Sequence, residues 1–173
     1  MAEREVLVYE AEAEDASGLL NLIKQVETET DFLTSNDDKS LMTERALAQF
    51  IQDRQLSDNQ ICLVARIGQE IVGVLNVSAE SSSQVSHIGE VFLAVSKDYW
   101  GYGLGQMLME AALDWAKHSN TIRRLELTVQ KRNKRAIHIY QKFGFEIEGL
   151  KKRGVKTKDG EFLDVCLMGK LID

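Results

Sequence analysis

Proline is absent from all 173 residues, so turns rest on Gly, Asn, Asp and Ser, and no rigid Pro-rich linker divides the chain. Cysteine is scarce: Cys62 and Cys166 lie far apart, each in an apolar run, with no Cys-x-x-Cys pair and no metal-ligand spacing. A disulfide scaffold and a zinc module are excluded, no metal is expected, and a reduced, cytoplasmic protein is the natural reading. Long apolar runs are missing, and Met1 to Glu5 is charged without an apolar stretch behind it. Neither a membrane span nor a secretory signal is expected. What remains is ordinary globular usage, 44% hydrophobic and 28% charged, which suits a single domain over residues 1–173.

Charge is unevenly placed. The net charge is −6, yet Arg123 to Lys158 holds twelve basic and three acidic residues, a local +9, leaving 9 basic and 24 acidic residues, or −15, elsewhere. A basic lobe in an acidic protein suits a compact polyanion together with a cationic second partner; nucleic acid is not expected, because duplex binding favours a basic domain overall. A solvated helix face is the plainer account of the same charges.

The spacing predicts a short strand at Val6 and Val8, then a helix capped at Glu14 or Asp15 with Leu19, Leu20, Ile23 and Val26 on one face. An acidic loop runs from Thr28 to Asp38, and Leu41 to Leu56 reads as a second helix. Strands are expected at Ile61–Ile67, Ile71–Ser78 and Val85–Val95, the first two joined in a hairpin at Gly68-Gln69-Glu70. A glycine loop and a helix bearing Leu104, Leu108, Ala112 and Trp115 follow, then a strand at Arg124–Gln130. A helix from about Asn133, stopped by Gly144, precedes two final strands, Phe145–Thr157 and Glu161–Ile172. The order indicates an α+β fold: a mixed, mainly antiparallel central sheet with helices on both faces.

Gly101, Gly103 and Gly105 stand just before a helix, where glycine lets the backbone approach a ligand and first-turn N–H groups can point at phosphate oxygens. A tight strand-to-helix turn would need the same residues. A dinucleotide fingerprint fails, since no glycine stands where Gly-x-Gly-x-x-Gly requires its third, and a nucleotide P-loop fails because Gln106-Met107 replaces Lys and Ser or Thr.

From Val85 to Asp173 the chain resembles the GNAT family of acetyl-CoA-dependent N-acetyltransferases. Trp100-Gly101-Tyr102-Gly103-Leu104-Gly105 matches that family's loop, Arg or Gln, two residues, Gly, one residue, Gly or Ala, except that Trp100 replaces the Arg or Gln. The segment NKRAIHIYQKFGF, Asn133 to Phe145, is similar to the family's Asn, Ala, Tyr, Lys, Gly-Phe helix. The C-terminal DGEFLD stretch looks most like the ribosomal-protein and diamine acetyltransferase branch.

The resemblance implies acetyl-CoA as acyl donor, held by Leu93, Ala94 and Val95 of the strand, by the loop from Trp100 through Gln106, and by Asn133, Ala136 and Lys142. Lys97 could supply the charge that Trp100 lacks, and Arg135, Lys131 or Lys142 could meet the 3′-phosphate. Tyr140 stands where the family has its general acid, although a tyrosine on an amphipathic helix is also an ordinary core residue. Glu90, alternating with Ile88 and Phe92 between apolar neighbours, is the candidate base for the amine, with a sheet-edge or salt-bridged glutamate as the alternative; His87 and His138 fall on other faces. Glu29, Asp31 and Phe32, in an acidic rim with Glu27, Asp37 and Asp38, would border a cationic amine.

The expected function is therefore transfer of an acetyl group to a primary amine, a small cationic amine or a protein N-terminus, by direct attack in a ternary complex. No acyl-enzyme is expected, because neither cysteine is placed as a nucleophile. A non-catalytic acyl-CoA-binding or sensor module on the same fold is the alternative, and a homodimer is a family-level expectation.

Overall fold

A computed structural model describes residues 4–29 and 43–173. The elements in chain order are β1 Val6–Glu10, a 3-10 turn Ala13–Asp15, α1 Ala16–Glu29, α2 Glu44–Gln55, β2 Ile61–Ile67, β3 Glu70–Ser78, β4 Ile88–Val95, a 3-10 turn Lys97–Tyr99, α3 Leu104–His118, β5 Arg124–Gln130, α4 Lys134–Lys142, β6 Glu146–Lys156 and β7 Phe162–Leu171. They build one seven-stranded sheet in the order β1-β2-β3-β4-β5-β7-β6. Neighbours are antiparallel except β4 and β5, which run parallel.

Three expectations shift at element ends. The third strand begins at Ile88 rather than Val85, because Val85 and Ser86 donate to the Ser82 carbonyl and Ile88 to that of Val85, which keeps the approach wound in turns. Thr43 caps α2 by accepting from the Ala46 N–H at 3.1 Å, so the helix starts at Glu44. Glu27, Thr28 and Glu29 belong to α1 rather than to a loop.

Strand alternation sends side chains to two cores. Leu63, Leu75, Val77, Val91, Leu125 and Met168 join Leu108, Met109 and Ala112 of α3 on one face. Cys62, Val64, Val74 and Ala94 join Leu19, Leu22 and Val26 of α1 and Leu47 and Ile51 of α2 on the other. Strands buried on both faces read as near-continuous apolar runs, as β2 and β3 do.

The feature that makes a site is a break in the sheet. β4 and β5 are paired only through Ile88, Gly89 and Glu90 against Arg124, Leu125 and Glu126; beyond Glu90 they part. Gly89 permits the close pairing, since a Cβ there would lie 2.6 Å from Val77 Cγ1 and 2.9 Å from Leu125 Cδ2. Past that point Val91–Val95 keeps β3 on one side and an open gap on the other.

Candidate active site

Backbone groups in the gap come from alternate residues of β4. Ser96 N–H donates to the Val72 carbonyl at 2.8 Å and Ala94 pairs with Val74, so the even-numbered residues address β3. Leu93 and Val95 therefore turn their polar backbone toward the gap. Of the three strand residues expected to hold a donor, Ala94 is committed to β3 and Leu93 faces the opening. The Val95 carbonyl accepts a 2.8 Å hydrogen bond from Trp100 Nε1.

The glycine loop is built for close approach. Gly101 has φ 85° and Gly103, the N-cap of α3, has φ 80°, a left-handed conformation that a side chain disfavours. The first helical bond of α3 runs from Met107 N–H to the Gly103 carbonyl, leaving the N–H groups of Leu104, Gly105 and Gln106 without a partner in the helix. Such a concave run of donors at a helix N-terminus fits a diphosphate. Gly105 lacks the unusual backbone, and a Cβ there would sit at ordinary contact distance, 3.6 Å, from Leu93 Cδ2. Trp100 and Tyr102 are exposed.

Charge reaches the loop from α4. Nη2 of Arg135 lies 3.7 Å from where a Cβ on Gly101 would be. Lys142 Nζ donates to Gln106 Oε1 at 3.1 Å, joining two residues expected at a donor site. Asn133 caps α4, its Oδ1 accepting from Ala136 N–H at 3.2 Å, and its amide N–H₂ is free for a ligand among the described residues.

Tyr140 packs on the α3 side of the sheet, its ring 6.0 Å from that of Phe145 in an edge-on contact. Burial pushes its phenol up to about 12. No hydrogen bond of its hydroxyl is formed among the described residues, the two tyrosine hydroxyls that are bonded being Tyr9 to Asp15 and Tyr99 to Glu70. The residue is half-buried and its hydroxyl is not sealed in the core, so a protonated donor without a protein partner is left for a ligand.

The opposite face of the gap is open to a second ligand. Glu90 is exposed there rather than enclosed by apolar neighbours, and Phe92, which sequence reasoning used only as a neighbour, is 39% exposed beside it. Glu126, in register with Glu90, is tied to Arg124 at 3.0 Å, whereas Glu90 has no ion pair among the described residues. Glu29 Oε2 accepts from Lys97 N–H at 2.9 Å, pinning the end of α1 to the start of the loop, and its Oε1 is buried with no partner among the described residues. Asp31, Phe32, Asp37 and Asp38 lie outside the described residues. The turn of the β6–β7 hairpin reaches the same end, Lys158 Nζ standing 3.5 Å from the Glu27 carbonyl. Among the described residues no cluster of His, Cys, Asp and Glu is arranged to hold a metal ion.

Residues 23–145 match the model of the acetyltransferase (GNAT) family. The chain belongs to that family. The enzyme's fold superimposes on a GNAT acetyltransferase of Streptococcus pneumoniae with a TM-score of 0.93 and 45% identity, covering 97% of this chain and 100% of the other. It is 27% identical to an L-amino acid N-acetyltransferase of Escherichia coli over 96% of this chain and 98% of the relative. An acetyltransferase from Salmonella typhimurium, solved with its cofactor acetyl-CoA, shares the fold at a TM-score of 0.85 and 18% identity, over 98% of this chain and 95% of that one. This enzyme is thus an N-acetyltransferase whose donor is acetyl-CoA, and no helix among its described residues is long and apolar enough to cross a membrane.

Proposed function

We propose that this acetyltransferase moves the acetyl group directly to a primary amine, with donor and acceptor held at once. The observation that carries this reading is the gap beyond Glu90: it opens the sheet to both faces, with Tyr140 on one and Glu90 on the other. Two ligands can then meet without a covalent enzyme intermediate. Cys62 supports this, since burial pushes its thiol up to about 12 and removes it as a nucleophile. Two free, buried thiols also suit a reducing, cytoplasmic setting.

The residues divide the work. When bound, acetyl-CoA would supply the activated acyl group, with coenzyme A leaving as a thiolate that takes up the proton the acylated nitrogen sheds. The free N–H groups of Leu104, Gly105 and Gln106 and the guanidinium of Arg135 would hold its diphosphate, and the Leu93 backbone would align the arm in the gap. Glu90 takes the proton that the ammonium must lose before its lone pair attacks, directly or through one water, and Glu29 Oε1 offers a second anchor for positive charge. Tyr140 donates a hydrogen bond to the leaving sulfur. Its phenol, at about 12, lies above a thiol at ~8.5, so it stabilises the developing thiolate while keeping its own proton.

The test has two arms. Acetyl-CoA at ~100 times its dissociation constant should add ~2.7 kcal/mol, raising the unfolding temperature by about 5–10 °C, and dephospho-coenzyme A should do less if a cation meets the 3′-phosphate. Thiol release with a panel of amines then reads turnover. Stabilisation with no turnover of any amine would favour the non-catalytic acyl-CoA-binding module.

A further inference from the structure

Arg54 is a cation that the donor site does not use. It stands in the last turn of α2, half-buried, with its guanidinium 3.9 Å over the Phe50 ring. Nε donates to Asn76 Oδ1 at 3.2 Å and Nη2 to Ser78 Oγ at 3.1 Å, and Asn76 Nδ2 in turn donates to Ser78 Oγ at 2.8 Å. These neutral partners fix the plane of the fork without neutralising it. Among the described residues no carboxylate pairs with Arg54 and nothing accepts from Nη1; Asp53, its chain neighbour, accepts from Gln49 instead. Burial draws the guanidinium's pKa down, yet arginine stays charged. The Asp53 carboxylate attracts the guanidinium without forming an ion pair with it, which leaves an oriented, half-buried cation that an anion would complete.

Register says where that anion would lie. Asn76 stands opposite Phe92 and Ser78 opposite Glu90, and directly opposed residues share a face. That face is the open one, reached from the α1 and α2 side. A strip across β3 and β4 therefore presents an unpaired cation, an exposed aromatic ring and an unpaired carboxylate beside the gap. A polyamine would meet repulsion at Arg54, and a protein N-terminus would bring no carboxylate near its amine.

Resting on the acetyl-transfer reading above, we infer that Arg54 binds a carboxylate of the acceptor, which is an amino-acid zwitterion with its amine toward Glu90 and its apolar part on Phe92. Asn76 and Ser78 hold the guanidinium ready, so little order is lost on binding.

The experiment compares, at saturating acetyl-CoA, apolar L-amino acids and longer ω-amino acids with their carboxamides and decarboxylated amines. In the wild type the acid should exceed its amide by about 10- to 100-fold in kcat/KM, mostly through KM, as a charge-assisted hydrogen bond implies. Arg54→Met should bring that ratio close to one, with Arg54→Lys between. Calorimetric titration of L-phenylalanine into protein saturated with coenzyme A should show binding that Arg54→Met loses. If Arg54→Met does not fold, the wild-type ratio still decides. Amides or amines equal to or better than acids, or a ratio unmoved in the variants, would overturn the zwitterion alone. Acetyl-CoA binding with no turnover of any amine would overturn acetyl transfer and this inference together.

Discussion

Trp100 Nε1 donates to the Val95 carbonyl across 2.8 Å, closing the residue just before the first loop glycine onto the last residue of β4. The indole thus holds the shape of the loop instead of offering it charge. Trp100→Phe keeps the ring and removes the donor. Loss of one such bond is worth about 1 kcal/mol, so acetyl-CoA affinity should fall about fivefold by calorimetric titration. Unchanged affinity would mean that the loop keeps its shape without the tie.

Arg135 is the cation beside Gly101, and Arg135→Ala should weaken acetyl-CoA by about tenfold, an effect that shrinks as salt rises from 50 to 500 mM. The side chain is exposed, so the unfolding temperature should hold. A loss of affinity that ignores salt would assign the effect to shape rather than charge.

Tyr140→Phe should lower kcat by about 10²-fold or more while leaving stability unharmed, because no protein group depends on the hydroxyl among the described residues. With the phenol at about 12, this residue puts no falling limb into the rate profile below about pH 11. A falling limb near pH 9 that disappears in Tyr140→Phe would contradict the assignment.

Alkali should destabilise the protein through buried Cys62 and half-buried Tyr140. Tyr140 is raised from 10.0 to about 12 and Cys62 from 9.0 to about 12, both by desolvation. Below pH 9 both groups are neutral in folded and unfolded chains alike. Between pH 9 and 12 the unfolded chain ionises first, so stability falls as pH rises, by pH 11 roughly 1 kcal/mol through Tyr140 and roughly 3 kcal/mol through Cys62. Urea midpoints at pH 8 and pH 11 measure the loss. Cys62→Ala should flatten that decline even though it lowers the midpoint at pH 8 by opening a small cavity.

Much of this was legible because it is local. RLELTVQ alternates and is β5 from Arg124 to Gln130, the loop glycines lead into α3, and Asn133 and Gly144 bound α4 as their caps require. The site's opening was not legible. It depends on which residues of β4 meet β5, a pairing across more than thirty positions that no strand pattern encodes. Arg54 escaped notice for a similar reason: on its helix it is one more basic residue, and only contacts 22 and 24 positions away, to Asn76 and Ser78, give it a setting. Glu90 was found by alternation, but its exposure depends on α1 and α2 covering Ala94 and stopping short of it.

Gly89 gives the sheet something like the stop on a zip. The side chain it lacks would press on Val77 and Leu125 at once, so any larger residue would pry β4 from β5 and make the seam end sooner. Where the seam halts fixes which residues of β4 are left with backbone facing the gap: Val91 first, then Leu93 and Val95.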